Sequence, residues 1–287
     1  LTVSQRGQVI VSEGGTLIQY VANGGWNPMS VTPDEPGFPS IGLNGGTAKL
    51  FATAGNGKAK FVGNGTFQIY RDSHLNGTTT FLCKPSQGFG SIELPEGGTL
   101  TLADVASTSA GGKWVTAAAV PFTGAGSLAV ARLSGTDAFA VTLPAATNTA
   151  TGTASAASGA ELFFDAGANW AGTVNADGAV KLTNTVDNAA FQTNAFGGID
   201  LTGDFKLRVG ADEASDLLIL GATGFLNDGG AVTVNAVGDY ALAGPDKFTV
   251  AAVLKTAPAI PTCGIRDWRF ESAADATDTT RNDIILR

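Results

Sequence analysis

The residue types that usually carry out chemistry are scarce in this chain. Its 287 residues include one histidine, His74, and two cysteines, Cys83 and Cys263. A Ser-His-Asp nucleophile would have to use His74, and Arg71-Asp72-Ser73-His74 holds all three types in a row. Sequence neighbours at a strand end point in different directions, and no Gly-x-Ser-x-Gly elbow occurs. The string reads better as a polar loop between a strand ending at Tyr70 and the turn at Asn76-Gly77. One imidazole and two thiols fall short of the four ligands of an ordinary zinc site. The cysteines read as buried thiols behaving as small hydrophobes, with a long-range disulfide or a two-Cys metal corner as the alternatives. Gly-x-Gly occurs at Gly55-Asn56-Gly57, Gly63-Asn64-Gly65 and Gly124-Ala125-Gly126. None extends to Gly-x-Gly-x-x-Gly, so these are turns and not phosphate cradles.

Carboxylates are more plentiful but scattered: Asp165, Asp177, Asp187, Asp200, Asp204, Asp212, Asp216 and Asp228. Stacked corners could gather a few of them around calcium, or pair two for glycan cleavage. No Gly-Gly-x-Gly-x-Asp pattern announces such a site. The expectation is a non-catalytic protein without a cofactor, with calcium as the alternative. Binding by contact is easier to place. Trp26 and Phe38 lie in the segment from Trp26 to Pro39, whose four prolines, Pro28, Pro33, Pro36 and Pro39, make it read as a stiff projecting loop or as a shield over the first coil. Trp268 lies in the most charged part of the chain. Trp26, Phe38 and Trp268 are therefore the candidate contacts for a partner or a glycan.

Whatever these residues do, β-strands must hold them. Glycine pairs precede short alternating runs at Gly14-Gly15-Thr16-Leu17-Ile18, Gly45-Gly46-Thr47-Ala48-Lys49-Leu50, Gly97-Gly98-Thr99-Leu100-Thr101-Leu102 and Gly229-Gly230-Ala231-Val232-Thr233-Val234. Period-2 alternation of large apolar and small polar residues is the strand signature. Asn-Gly and Asp-Gly turns recur between the runs because both residues tolerate positive φ. Helical patterning is nearly absent, with at most a short helix, either at the N-terminal end as a cap or near Ala211–Ser215. The expected fold is all-β. A parallel β-solenoid of about 22 residues per coil is favoured, with a β-sandwich or jelly roll as the alternative. The Thr/Ala/Ser-rich stretch 144–160 reads as a wide surface loop or an outward-facing rung and not a linker, because the same strand grammar flanks it. The body spans residues 1–257. Residues 258–287, with Pro258, Pro261 and Arg266-Asp267-Trp268-Arg269-Phe270, form a C-terminal cap or an assembly segment.

Composition narrows the partners. Thirty-nine glycines and only 15% charged residues leave a surface covered mainly by threonine, serine, asparagine and small apolar groups. The net charge is −8, and no Lys or Arg occurs from Leu133 to Val180. Binding to nucleic acid needs clustered cations that neutralise phosphates, so that class is excluded. The longest apolar run, Leu217 to Leu226, is broken by Gly221 and Gly224 and is too short to span a bilayer. The chain begins at Leu1 and not Met, which reads as a processed or excised product.

The Gly-Gly-Thr-Leu phrases, Gly197-Gly198-Ile199-Asp200-Leu201-Thr202-Gly203-Asp204, and the closing Tyr240-Ala241-Leu242-Ala243, Trp268 and Ile284-Ile285-Leu286-Arg287 resemble the passenger regions of bacterial autotransporter-like and autotransporter-associated β-strand-repeat surface proteins. That resemblance implies a right-handed β-helix at a cell surface, acting in adhesion or assembly. It covers the last hundred residues best, and the chain lacks the C-terminal membrane barrel of true autotransporters. Phage and viral surface proteins share this composition. The expected function is therefore an extracellular, cell-surface or virion-surface structural protein that self-assembles or adheres. The expected partners are its own copies in a filament or lattice, or a surface glycan. The alternative is a secreted glycan-binding or glycan-cleaving β-helix.

Overall fold

A computed structural model describes residues 8–20, 40–52, 60–71, 79–81, 92–94, 96–104, 113–116, 122–132, 139–157, 159–187, 190–227, 229–265 and 267–287. The chain is nearly all β. Its strands are β1 (Gln8–Ser12), β2 (Thr16–Tyr20), β3 (Ser40–Ala52), β4 (Lys60–Arg71), β5 (Thr79–Phe81), β6 (Ile92–Leu94), β7 (Thr99–Asp104), β8 (Lys113–Thr116), β9 (Phe122–Gly124), β10 (Ser127–Arg132) and β11 (Phe139–Leu143). They continue as β12 (Ala154–Ala156), β13 (Ala160–Phe164), β14 (Asn169–Ala176), β15 (Val180–Leu182), β16 (Thr193–Leu201), β17 (Asp204–Val209), β18 (Leu217–Asn227), β19 (Ala231–Ala236), β20 (Phe248–Leu254), β21 (Phe270–Ala274) and β22 (Arg281–Leu286). One helical turn, α1 (Asn184–Asp187), and a 3-10 turn at Ala211–Glu213 interrupt them. The second falls where the sequence allowed a short helix, and α1 has no signal in the alternation.

The strands form three sheets. The largest has 15 strands, with the order β1-β3-β4-β7-β10-β12-β14-β16-β18-β20-β22-β21 along its main path. A five-stranded sheet runs β15-β13-β11-β8-β5, and β17 pairs with β19 alone. Every pairing of named strands is parallel until β20. There β22 returns antiparallel on β20, and β21 pairs antiparallel with β22. The largest sheet is therefore mixed, with its change of direction confined to the C-terminal end. Parallel pairing persists slightly past residue 257, because Cys263 still bridges Val232 in parallel.

Parallel neighbours need a long connection, and here the lengths are similar. They agree within a factor of two: paired residues of parallel strands lie from 18 apart, Leu162 and Val180, to 35 apart, Gly65 and Leu100. The same stacking places like beside like. Leu128, Ala154, Val174, Ile199 and Phe225 follow one another across five strands, all buried. Trp170, Phe196, Leu220 and Val253 make a second file, and Leu143, Phe164 and Leu182 a third in the five-stranded sheet. In β14 the buried residues alternate with more exposed ones, as the period-2 reading requires. Each fully buried Val, Leu, Ile or Phe contributes about 1.5–3 kcal/mol, so these files are the main source of stability.

Several strands exceed the three to five residues read from the sequence, with 13 in β3 and 11 in β18. They run on through corners where the register slips, between Trp170 and Thr173 in β14 and between Phe196 and Gly198 in β16. Glycine makes these corners feasible. A Cβ on Gly197 would overlap the carbonyl of Ala171, and one on Gly172 would overlap the carbonyl of Gly152. In the pair Gly229-Gly230 the two glycines differ in role. Gly229 takes φ 91°, closed to most side chains, while a Cβ on Gly230 would sit 2.5 Å from Leu201 O. The first glycine turns the chain, and the second lets it lie against the rung below.

Candidate functional site

Of the residues singled out in the sequence, Trp26, Phe38, His74 and Cys83 lie outside the described residues. Trp268 lies within them, half-buried against the core. Its ring packs on Phe248 with centroids 6.2 Å apart, and Phe248 also meets Tyr240 edge-on at 6.2 Å. The Tyr240 hydroxyl donates a short hydrogen bond to Asp246. That bond to a carboxylate, followed by desolvation, pushes the Tyr240 pKa up to about 12. Trp268 thus belongs to an aromatic file under the C-terminal strands, with one part of its surface left to solvent. Cys263 is half-buried, and burial raises its thiol pKa.

The stretch 144–160 is part of the stacked structure and not a tether. Thr149 and Ala150 N–H donate to Phe122 O, Thr151 N–H donates to Gly124 O, and Ala171 N–H donates to Asn148 O. Asn148 is 2% exposed, and its Oδ1 accepts from Phe122 N–H at 2.9 Å. Asn169 repeats that gesture one rung on, accepting from Asn148 N–H at 2.6 Å. Thr147, Thr149 and Thr151 meanwhile face solvent.

The buried polar centre of the molecule was not legible in the sequence. Asp216 is fully buried, at 0% exposure, and Arg208 is at 4%. Asp216 Oδ1 accepts from Asn184 Nδ2 at 2.5 Å and from Gln192 N–H at 3.0 Å. Its Oδ2 accepts from Arg208 N–H at 2.8 Å, with Arg208 Nε 3.6 Å away. The Arg208 guanidinium also donates to Ala190 O at 3.0 Å and lies over the Phe191 ring at 5.4 Å. Gln192 Nε2 donates to Asn194 Oδ1 at 2.7 Å, and Asn194 donates to Asp165 O and Ala168 O. Alternation along Asp204–Val209 puts Arg208 on the outward face with Lys206. The segment after α1 folds over it and converts that position into interior. Both Asp216 oxygens are engaged and its charge is matched, so this network is suited to locking adjacent rungs, not to binding a ligand.

The other concentration of charge is the hairpin β21–β22. Glu271 is held from both sides, by Arg269 Nη2 at 2.9 Å and Arg287 Nη1 at 2.8 Å. In the connecting turn, Asp275 Oδ1 accepts from Thr277 N–H, the Thr277 hydroxyl and Asp278 N–H. Those bonds, led by the Thr277 amide, lower its pKa. Asp278 is lowered likewise, chiefly by the Thr280 hydroxyl. Asp283 goes the other way, raised by burial and then by the charge of Asp275 beside it. Among the described residues, no group of three or more His, Cys, Asp or Glu side chains is arranged to hold a metal ion. Nor is any helix among them long and apolar enough to cross a membrane. The C-terminal hairpin, where the sheet reverses direction, ends in an edge and collects charge, is the candidate functional surface. Comparison of the chain with known protein families, with curated proteins and with solved structures found no match to any of them.

Proposed function

We propose that this protein is a structural surface protein of the autotransporter-passenger type, coiled as a right-handed parallel β-solenoid. It self-assembles or mediates adhesion at a cell or particle surface, without catalysis. Residues 1–257 form the shaft, and 258–287 close or join its C-terminal end. The observation that carries this reading is the uninterrupted parallel ladder from β4 to β20, stepped at intervals of 20 to 35 residues. A chain that returns to the same sheet at each step builds length, and its buried files and glycine corners serve that stacking alone. An antiparallel sandwich would bury comparable apolar area without parallel ladders. Exposed Thr, Asn and Ala on the outer faces suit contact with copies or surfaces. Negative-stain imaging and sedimentation of the full chain test the proposal, with rods, filaments or lattices expected. A dispersed monomer that cleaves an acidic polysaccharide would overturn it.

A further inference from the structure

Among the described residues, β21 is the last strand of the largest sheet, with β22 on one side only. Arg269 and Arg287 exchange both backbone hydrogen bonds at 2.9 Å, and Asp275 N–H donates to Arg281 O at 3.3 Å. In an antiparallel pair such exchanges fall on every second residue. Glu271 and Ala273 therefore turn their N–H and C=O groups toward β22, and Phe270, Ser272 and Ala274 turn theirs outward. Ser272 and Ala274 are exposed. Natural edges are guarded by lysine, proline, a bulge or an uncompensated charge. β21 contains no lysine or proline and keeps an unbroken register with β22. Its single charge, Glu271, is neutralised by two arginines.

We propose that β21 is a self-pairing edge, through which two copies of this chain join antiparallel about a two-fold axis centred on Ser272. Only this register engages all three outward residues. Ser272 faces its own counterpart, and Phe270 faces Ala274 in both directions, giving about six intersubunit hydrogen bonds. The same register sets Arg269, whose side chain is 78% exposed, opposite Asp275 of the second copy, and does so twice. Asp283, raised by burial and then by the charge of Asp275, lies with Asp275 on that face as neighbouring acidic charge. An incoming guanidinium relieves it. An isologous contact of this kind closes a dimer, so filaments or lattices would grow from other surfaces.

The inference deepens the assembly reading above and rests on it. The test uses the full chain with Cys83 and Cys263 changed to serine. At the two-fold axis the paired Cα atoms lie about 5.5 Å apart, within disulfide reach. Ser272→Cys should therefore cross-link quantitatively to a dimer under mild oxidation. Ala274→Cys, equally exposed but about 14 Å from its counterpart, should not. Ser272→Pro, which removes only an outward N–H, should weaken the dimer at least about tenfold in sedimentation equilibrium. Equal cross-linking at both positions, or none at 272, overturns the self-pairing edge. Wild-type oligomers that Ser272→Pro leaves unchanged overturn it too, while the assembly reading survives. A wild-type chain that stays monomeric at every concentration overturns both the edge and self-assembly, and leaves adhesion as the proposed role.

Discussion

Replacing Asp216 by alanine should be among the most damaging single changes in the described structure, and the arithmetic can be done from its contacts. The carboxylate is fully buried and accepts from Asn184 Nδ2, Gln192 N–H and Arg208 N–H, with Arg208 Nε at 3.6 Å. Truncation strands two backbone donors and one amide donor, and removes the Asp216 carboxylate from beside a guanidinium that is 4% exposed. Breaking a buried pair by removing one partner costs about 3–5 kcal/mol. Arg208 keeps its bond to Ala190 O and its place over Phe191, which sets the expectation at the lower end, about 3 kcal/mol. Stacked structures often unfold in parts, so one global midpoint is a poor reporter. Amide exchange at Gln192 and Arg208 is direct. Both N–H groups donate to Asp216, and a loss of that size should speed their exchange about 100-fold. Adding Arg208→Met to Asp216→Ala should recover about 2 kcal/mol relative to the sum of the single changes, since both members of that ion pair are then removed together. A single-variant cost under about 1 kcal/mol, with additive double-variant behaviour, would refute the network.

Two further outcomes follow from the same geometry. Gly197→Ala drives a Cβ into the Ala171 carbonyl, which is backbone and cannot rotate away, and should cost upwards of about 2 kcal/mol. Gly244→Ala meets nothing within 4 Å and should stay within about 0.5 kcal/mol of the parent; equal local amide-exchange protection in the two variants would show the corner is not tightly stacked. The hairpin turn should respond to pH in two opposed ways. Asp275 and Asp278 have depressed folded pKa values, so their stabilisation is present above the unfolded pKa and is lost as pH falls through the folded one. Asp283 is raised, so its contribution is present at low pH and is lost as pH rises through its folded pKa. Asp283→Asn should therefore slow amide exchange at Ile284 and Ile285 at pH 7 and have no such effect near pH 3. Faster exchange at pH 7 would show that the Asp283 carboxylate is stabilising there.

The sequence carried the strand content because alternation is a local signal. Trp170, Val174 and Ala176 fall on one face of β14 simply by counting in twos. The glycine pairs were legible as corners for the same reason. What could not be read was which residue a corner would meet one rung later, since Gly172 and Gly197 are matched to Gly152 and Ala171 only by the register. Asn148 and Asn169 sit in or beside a low-complexity run, where nothing marks them as interior. Arg208 is the clearest failure of local reasoning. Its strand position predicts exposure, and a segment that reveals no such intent in its own pattern folds over it. The candidate surface was only half visible. The charged tail stood out by composition, but the outward-facing backbone of β21 depends on hydrogen-bond parity.

The even spacing of the rungs also bears on how fast the protein can form. Parallel sheets are usually slow to assemble, because their partners are far apart along the chain and loop closure must come first. Here a strand finds its parallel partner 18 to 35 residues away in a chain of 287, a relative separation of about a tenth, which is the range of fast-folding helical domains. Each new segment meets a finished template as soon as it is free. The chain can therefore fold progressively while the rest is still being delivered. Only the closing hairpin, which pairs in the opposite sense, must wait for both of its strands.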